Sequence, residues 1–199
     1  WKGVDENQIY LCNGSDEFIS NVINGCCEAG KDSIMIVPPT FGMYKVSAKT
    51  YGVGIQEVPL TSSFQLDVDS ILEIADENSK IIFLPTPNNP TANNIDLDAV
   101  EQLIHGFPGL VVVDEAYAEF SSNPSVIPWL AKYPNLMVCQ TFSKAQGMAG
   151  ARLGMAFAHS DFISFFNRIK APYNINSLTI NAVQKRLKDQ DKVKQEVDL

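Results

Sequence analysis

Leu110-Val111-Val112-Val113-Asp114-Glu115-Ala116-Tyr117 is the stretch whose reading decides the fold. Four consecutive apolar residues, three of them β-branched, read as a strand buried on both faces, and the acidic pair behind them marks its end. The same pattern recurs outward in both directions. Lys80 to Leu84 is an apolar run broken by Pro85 and Pro87, and Leu136 to Gln140 is followed by Thr141-Phe142-Ser143-Lys144. Ser33 to Val37 ends at Pro38-Pro39, and Ile9 to Cys12 ends at Asn13-Gly14-Ser15-Asp16. Gly52 to Val58 and Leu153 to Ala158 complete the expected strands.

Amphipathic stretches separate these runs. Asp16 to about Ala29 carries the apolar stripe Phe18, Ile19, Val22, Ile23 and Cys26, with Ser15 as the expected cap and Gly30 as the stop. Gly42 to Tyr51 fits a second helix, Ser70 to Asp76 a third capped by Asp67 or Asp69, and a fourth runs from the cap Asp96 through Ile104. Ser160 is the expected cap of a helix bearing Phe162, Phe165, Phe166 and Ile169; Pro172 interrupts, and a last helical pattern begins near Ser177. Short buried strands alternating with helices specify an α/β protein: three layers, α/β/α, around a mostly parallel seven-stranded sheet. Residues 1–170 read as one large α/β domain. Residues 171–199 read as a linking segment and helix leading toward a second domain. The abrupt opening at Trp1 and the stop at Leu199 within a charged helical pattern are those expected of a fragment.

Composition narrows the partners. The chain has 199 residues, 45% of them hydrophobic, enough apolar content for one full-sized core and too much for disorder. Fifteen basic against twenty-three acidic residues leave a net charge of -8, which disfavours a nucleic-acid partner but leaves room for a locally positive pocket. No apolar run approaches a membrane span. Cys12, Cys26, Cys27 and Cys139 form no Cys-x-x-Cys pair, and His105 and His159 lie far apart, so no metal site is expected. With no signal peptide visible, a reducing cytoplasmic setting is expected.

In an open α/β sheet, ligands sit beyond the carboxyl ends of the strands. The ends in this sequence carry Ser15 and Asp16, the 85–91 turn with Asn89, Asp114 with Tyr117, and Thr141 to Lys144. Asp114, buried at a strand end, calls for a cationic partner; its ordinary alternative is a helix cap or an ion pair. Lys144 is either an exposed lysine or an amine placed to form a Schiff base. Arg152, beyond a Gly-Met-Ala-Gly turn, offers a planar fork for a phosphate near Ser143, and the helix start at Gly14 to Asp16 adds backbone donors. Phe41 can cover a flat ring, with core packing as its ordinary alternative, and Asn89 and Tyr117 can reach a ring oxygen. Pyridoxal phosphate satisfies every term of such a ligand (a phosphate, a flat ring, a protonated ring nitrogen and an aldehyde), as few other cofactors do.

These stretches resemble a known family. Asn13 to Glu17, Pro38-Pro39-Thr40-Phe41-Gly42-Met43-Tyr44, Pro87-Asn88-Asn89-Pro90-Thr91, Asp114 to Tyr117, and Thr141 to Lys144 with Arg152 are similar, in order and spacing, to the large domain of fold-type I pyridoxal-phosphate enzymes. The histidinol-phosphate aminotransferases are the most similar subgroup, favoured by the 38–44 stretch and Ala171-Pro172-Tyr173-Asn174. The resemblance implies that Lys144 carries the cofactor and that Asp114 pairs with its ring nitrogen. It implies that Asn89 and Tyr117 contact the phenolic oxygen and that Phe41 stacks on the ring. Ser15, Asp16, Thr141, Ser143 and Arg152 are implied to hold the phosphate. Further implications are a homodimer with shared active sites, a cis Asn89–Pro90 bond, an amino donor with a 2-oxo acid acceptor, and a role in histidine biosynthesis. Ala92 stands where relatives have glycine: a methyl group fits there at negative φ and strains a positive-φ turn, and tolerance is expected because Asn89 and Pro90 are retained. Other fold-type I enzymes, namely an amino-acid aminotransferase or a threonine-phosphate decarboxylase, and a non-catalytic cofactor-binding regulator remain alternatives. The small domain that supplies the substrate-gripping arginine in relatives is expected to be largely absent.

Overall fold

The computed structural model describes residues 2–198; Trp1 and Leu199, the outermost positions of the two expected regions, lie outside the described residues. Seven strands form one sheet: β1 (Ile9–Cys12), β2 (Ser33–Ile36), β3 (Gly54–Glu57), β4 (Ser79–Pro85), β5 (Leu110–Asp114), β6 (Leu136–Thr141) and β7 (Gly154–Ala158). Their order is β1-β7-β6-β5-β4-β2-β3. Strands β2 to β6 pair in parallel, whereas β7 runs antiparallel to both β6 and β1. The expected mostly parallel sheet is therefore present.

This topology places the site. The carboxyl ends of β1, β2, β4, β5 and β6 lie at one edge of the sheet, and the reversed β7 brings its amino end, with Arg152 just before it, to that same edge. Strand register is pinned by burial. In β5 and β6 every residue is buried, and successive side chains alternate between two cores. One core holds Ile82, Leu84, Val111, Val113 and Val138 under α3 (Val68–Ile74) and α4 (Leu97–Gly106). The other holds Ile81, Phe83, Val112, Met137 and Ala156 under α1 (Ser15–Cys26), α2 (Met43–Thr50) and α5 (Ser160–Ile169). Two cores on one sheet make the three layers.

Helix ends follow capping chemistry, with corrections. Asp67 accepts from the Ser70 amide, Asp96 from the Asp98 amide, and Asn176 from the Thr179 amide at the start of α6 (Ser177–Leu187). Ser15 is not the cap of α1; Gly14 is, at φ 80°, and Ser15 is the first helical residue. At α5 the cap is His159 rather than Ser160. α1 ends at Cys26, short of Ala29, because Cys27 turns to an extended conformation. The final charged stretch is two helices: α7 (Gln190–Val197) follows α6 after a short turn. Among the described residues no helix is long and apolar enough to cross a membrane.

Candidate active site

Every residue singled out from the sequence lines one cavity at the sheet edge. Ser15, Asp16, Phe41, Asn89, Asp114, Tyr117, Thr141, Ser143, Lys144 and Arg152 share it with Tyr44, Pro85, Pro87 and Ala116.

One end gathers donors suited to an anion. Gly14 hydrogen-bonds back to Cys12 and starts α1, so the Ser15 and Asp16 amides lie in the helix's first turn, where N–H groups lack intrahelical partners. A Cβ on Gly14 would come within 2.4 Å of Arg152 Nη2, and one on Gly154 within 2.6 Å of the Gly14 carbonyl carbon. Glycine at both positions lets β7 and the guanidinium close on the loop. Arg152, held at φ 53°, donates from Nη2 to Asp16 Oδ2 at 3.1 Å. Across the cavity Thr141 Oγ1 donates to Ser143 Oγ at 3.0 Å and accepts the Ser143 amide at 3.1 Å.

Asp114 occupies the other end. It is 6% exposed, and burial pushes its pKa above the usual carboxylate range. The cationic partner anticipated for it is not a protein side chain. Its hydrogen bonds instead come from Tyr44 Oη to Oδ2 at 2.6 Å, from the Ala116 amide to Oδ1 at 3.0 Å, and from Cys139 Sγ to Oδ1 at 3.6 Å. Tyr44 stacks on Phe83 with centroids 4.5 Å apart and meets Phe41 edge-on at 5.6 Å. The walls beside Asp114 are thus aromatic.

The turn carrying Asn89 is anchored by its neighbour. Asn88 Nδ2 donates to the Pro39 carbonyl at 2.9 Å, tying the 86–93 turn to the Phe41 wall. The Asn89–Pro90 peptide is cis, as are Pro38–Pro39 and Thr86–Pro87. Ala92 sits at φ 59°, the straining alternative of the two, so the turn keeps Asn89 and Pro90 with the methyl carried in a left-handed conformation. Lys144 Nζ is exposed and lies 5.2 Å from the centre of the Tyr117 ring.

Several supports escaped the sequence reading. Glu115, buried beside Asp114, accepts from Ser125 Oγ, the Val126 amide and Gln140 Nε2, at 2.7, 2.8 and 2.7 Å. It ties the Tyr117 loop to β6, and burial pushes its pKa up. From the C-terminal segment, Arg186 Nε donates to the Gln146 carbonyl at 2.9 Å, Thr179 Oγ1 to Ala151 at 2.7 Å and Asn174 Nδ2 to Leu11 at 3.0 Å. These bonds brace the Lys144 loop, the turn before Arg152 and the strand leading into Gly14. No local sequence signal marks them, because each joins residues remote along the chain.

The fold and this edge define the large-domain architecture of fold-type I pyridoxal-phosphate transferases. Residues 2–198 match the aminotransferase class I and II family, and the chain belongs to it. It is 50% identical over 192 residues to the histidinol-phosphate aminotransferase of Flavobacterium johnsoniae, covering 96% of this chain and 55% of that relative. It is 46% identical over 197 residues to the enzyme of that name from Parabacteroides distasonis, covering 99% of this chain and 57% of the relative. The crystal structure of histidinol-phosphate aminotransferase from Sinorhizobium meliloti in complex with pyridoxal-5'-phosphate superposes with a TM-score of 0.90 at 25% identity, covering 98% of this chain and 54% of that one. The chain thus spans a little over half the length of these relatives.

Proposed function

We propose that this chain is the cofactor-binding part of a pyridoxal-phosphate aminotransferase whose amino donor is histidinol phosphate and whose acceptor is 2-oxoglutarate, in cytoplasmic histidine biosynthesis. Residues 1–170 form the cofactor domain in this reading, and residues 171–199 lead toward the substrate-gripping region. The full protein works as a homodimer. The observation that carries the reading is the meeting of an anion cradle, aromatic walls, a buried carboxylate and a lysine amine in one cavity. That donor set fits the phosphate, the flat ring, the ring nitrogen and the aldehyde of the cofactor.

When bound, pyridoxal phosphate supplies an aldehyde and a ring that accepts electrons from the substrate's α-carbon. The protein's own groups do the rest. The Ser15 and Asp16 amides, the Thr141 and Ser143 hydroxyls and Arg152 bind the phosphate, and Arg152 supplies the positive charge. Phe41 covers one face of the ring. Asn89 and Tyr117 donate to its phenolic oxygen. Asp114 keeps a proton on the ring nitrogen, because a carboxylate this deeply buried is stabilised most by a cation against it. Lys144 Nζ moves the α-proton, and holding amine and substrate together replaces a bimolecular encounter by an oriented one.

Lys144→Ala in the full-length enzyme is expected to abolish transamination while the cofactor is still captured without a covalent link. Turnover at the wild-type rate would remove Lys144 from this role. For the donor, the cofactor's visible spectrum is followed in the full-length protein on adding histidinol phosphate, phenylalanine or phosphothreonine. A spectral change specific to histidinol phosphate with release of its keto product is expected. Conversion of either other amine in its place would move the substrate assignment, and failure to take up the cofactor would end the reading.

A further inference from the structure

The Asp114–Tyr44 contact differs in kind from everything else in the cavity. Tyr44 is wholly buried, its ring stacked on Phe83 and met edge-on by Phe41. Its hydroxyl donates to Asp114 Oδ2, 2.6 Å away. Burial, with the adjoining carboxylate second, drives the Tyr44 phenol's pKa well above its ordinary value, so this hydroxyl keeps its proton and donates it. Asp114 faces a wholly different charge environment from its other neighbours. Cys139 on β6 is a weak, long donor at 3.6 Å, the Ala116 amide serves only Oδ1, and Asp16 on α1 acts on it as a like charge.

We infer that Tyr44 is a positioning residue: its hydroxyl fixes the rotamer of Asp114 and favours the ionised carboxyl, so that a carboxylate meets the cofactor's ring nitrogen. This rests on the proposed cofactor reading. The physical reason is differential. A donor on Oδ2 stabilises the anion more than the neutral acid, and in a desolvated pocket that preference is strengthened. With a less basic Asp114, the proton between carboxyl and ring nitrogen resides on the nitrogen. Without the hydroxyl, the carboxyl competes for that proton. Tyr44 thus acts through Asp114.

Tyr44→Phe keeps the ring and its stacking and deletes one oxygen. Phe83→Leu loosens the same stack and keeps the hydroxyl. Both are made in the full-length protein. In the cofactor-free form, the Asp114 carboxyl carbon is titrated by carbon-13 NMR. Its midpoint is expected to rise by about one to two pH units in Tyr44→Phe and to stay within about 0.3 unit of wild type in Phe83→Leu, while both variants lower the unfolding temperature. In the loaded enzyme, nitrogen-15 NMR of labelled pyridoxal phosphate is expected to move toward the unprotonated ring in Tyr44→Phe alone. An unshifted midpoint in Tyr44→Phe overturns the inference, as does an equal shift in Phe83→Leu, which would make the effect one of packing. Failure of the wild-type protein to bind the cofactor overturns the functional reading and this inference with it. A bound cofactor with an unshifted Asp114 overturns the inference alone.

Discussion

The two ends of the cavity solve the same problem, holding a charge, by opposite means. At the anion end, Arg152 and Asp16 leave 45% and 46% of their side chains exposed. Their contact is screened by water, and pairs of this kind contribute under about 1 kcal/mol. What makes that end is a helix start, two side-chain hydroxyls, and two glycines that allow close approach. At the Asp114 end, among the described residues, the carboxyl's hydrogen-bond donors are neutral. A desolvated carboxyl is held by a buried phenol, an amide and a thiol. The comparison teaches that the anion end is tuned by shape and salt, and the carboxyl end by burial.

The largest effect expected is at the buried end. Asp114→Asn in the full-length enzyme should cost about a hundredfold or more in turnover, yet stabilise the cofactor-free protein at neutral pH. The sign follows from linkage. A carboxyl whose pKa is raised on folding binds its proton more tightly in the native state than in the unfolded chain. Its contribution is therefore intact below the ordinary carboxylate range and declines as pH climbs through the raised value. Thermal unfolding of both proteins across that window should show Asp114→Asn gaining on wild type as pH rises; parallel curves would break the contrast.

Next in size is Gly154→Ala. Its Cβ would meet backbone atoms of Gly14 and Ser15 at 2.6 Å, so the loop must move, at a cost of about 1–3 kcal/mol. Denaturant unfolding reads the stability, and a matching loss of cofactor affinity sharpens the claim that shape sets this end. Arg152→Lys keeps the charge and loses the fork, so phosphate capture should weaken about tenfold with little change in stability. Raising ionic strength should weaken capture further, and should leave the Asp114 titration almost unmoved. The smallest effect is Ala92→Gly, in the turn beyond Asn89 and outside the cavity lining. Relief of the left-handed alanine should raise stability by up to about 1 kcal/mol, seen as a small rise in unfolding temperature.

Much of this was legible in the chain. Buried strands announce themselves as apolar runs closed by proline, glycine or an acid, and β5 and β6 were readable on those grounds. Their ends carried the polar residues that now share one cavity. Legibility failed where tertiary contact overrides local pattern. Tyr44 was visible as a motif residue, but its bond to Asp114 joins positions 70 apart. Ser15 looked like a cap, and lost that place because glycine alone accepts φ 80° at Gly14 with Arg152 lying against it. The 3-10 turn at Ile127–Ala131 was too short to show helical periodicity. The sign of φ at Ala92 stayed open because it depends on the turn that residue closes.

The reversed β7 has a consequence for assembly during synthesis. Arg152 and Asp16, which meet at the anion end, are 136 residues apart in the chain, and β1 has its sheet partner only when β7 arrives. A growing polypeptide therefore carries its helix-start loop without a docking strand until nearly the whole domain has emerged. Contacts this remote form late and slowly. Phosphate capture at that edge would thus report on completed folding, since a half-made sheet offers only one side of the grip.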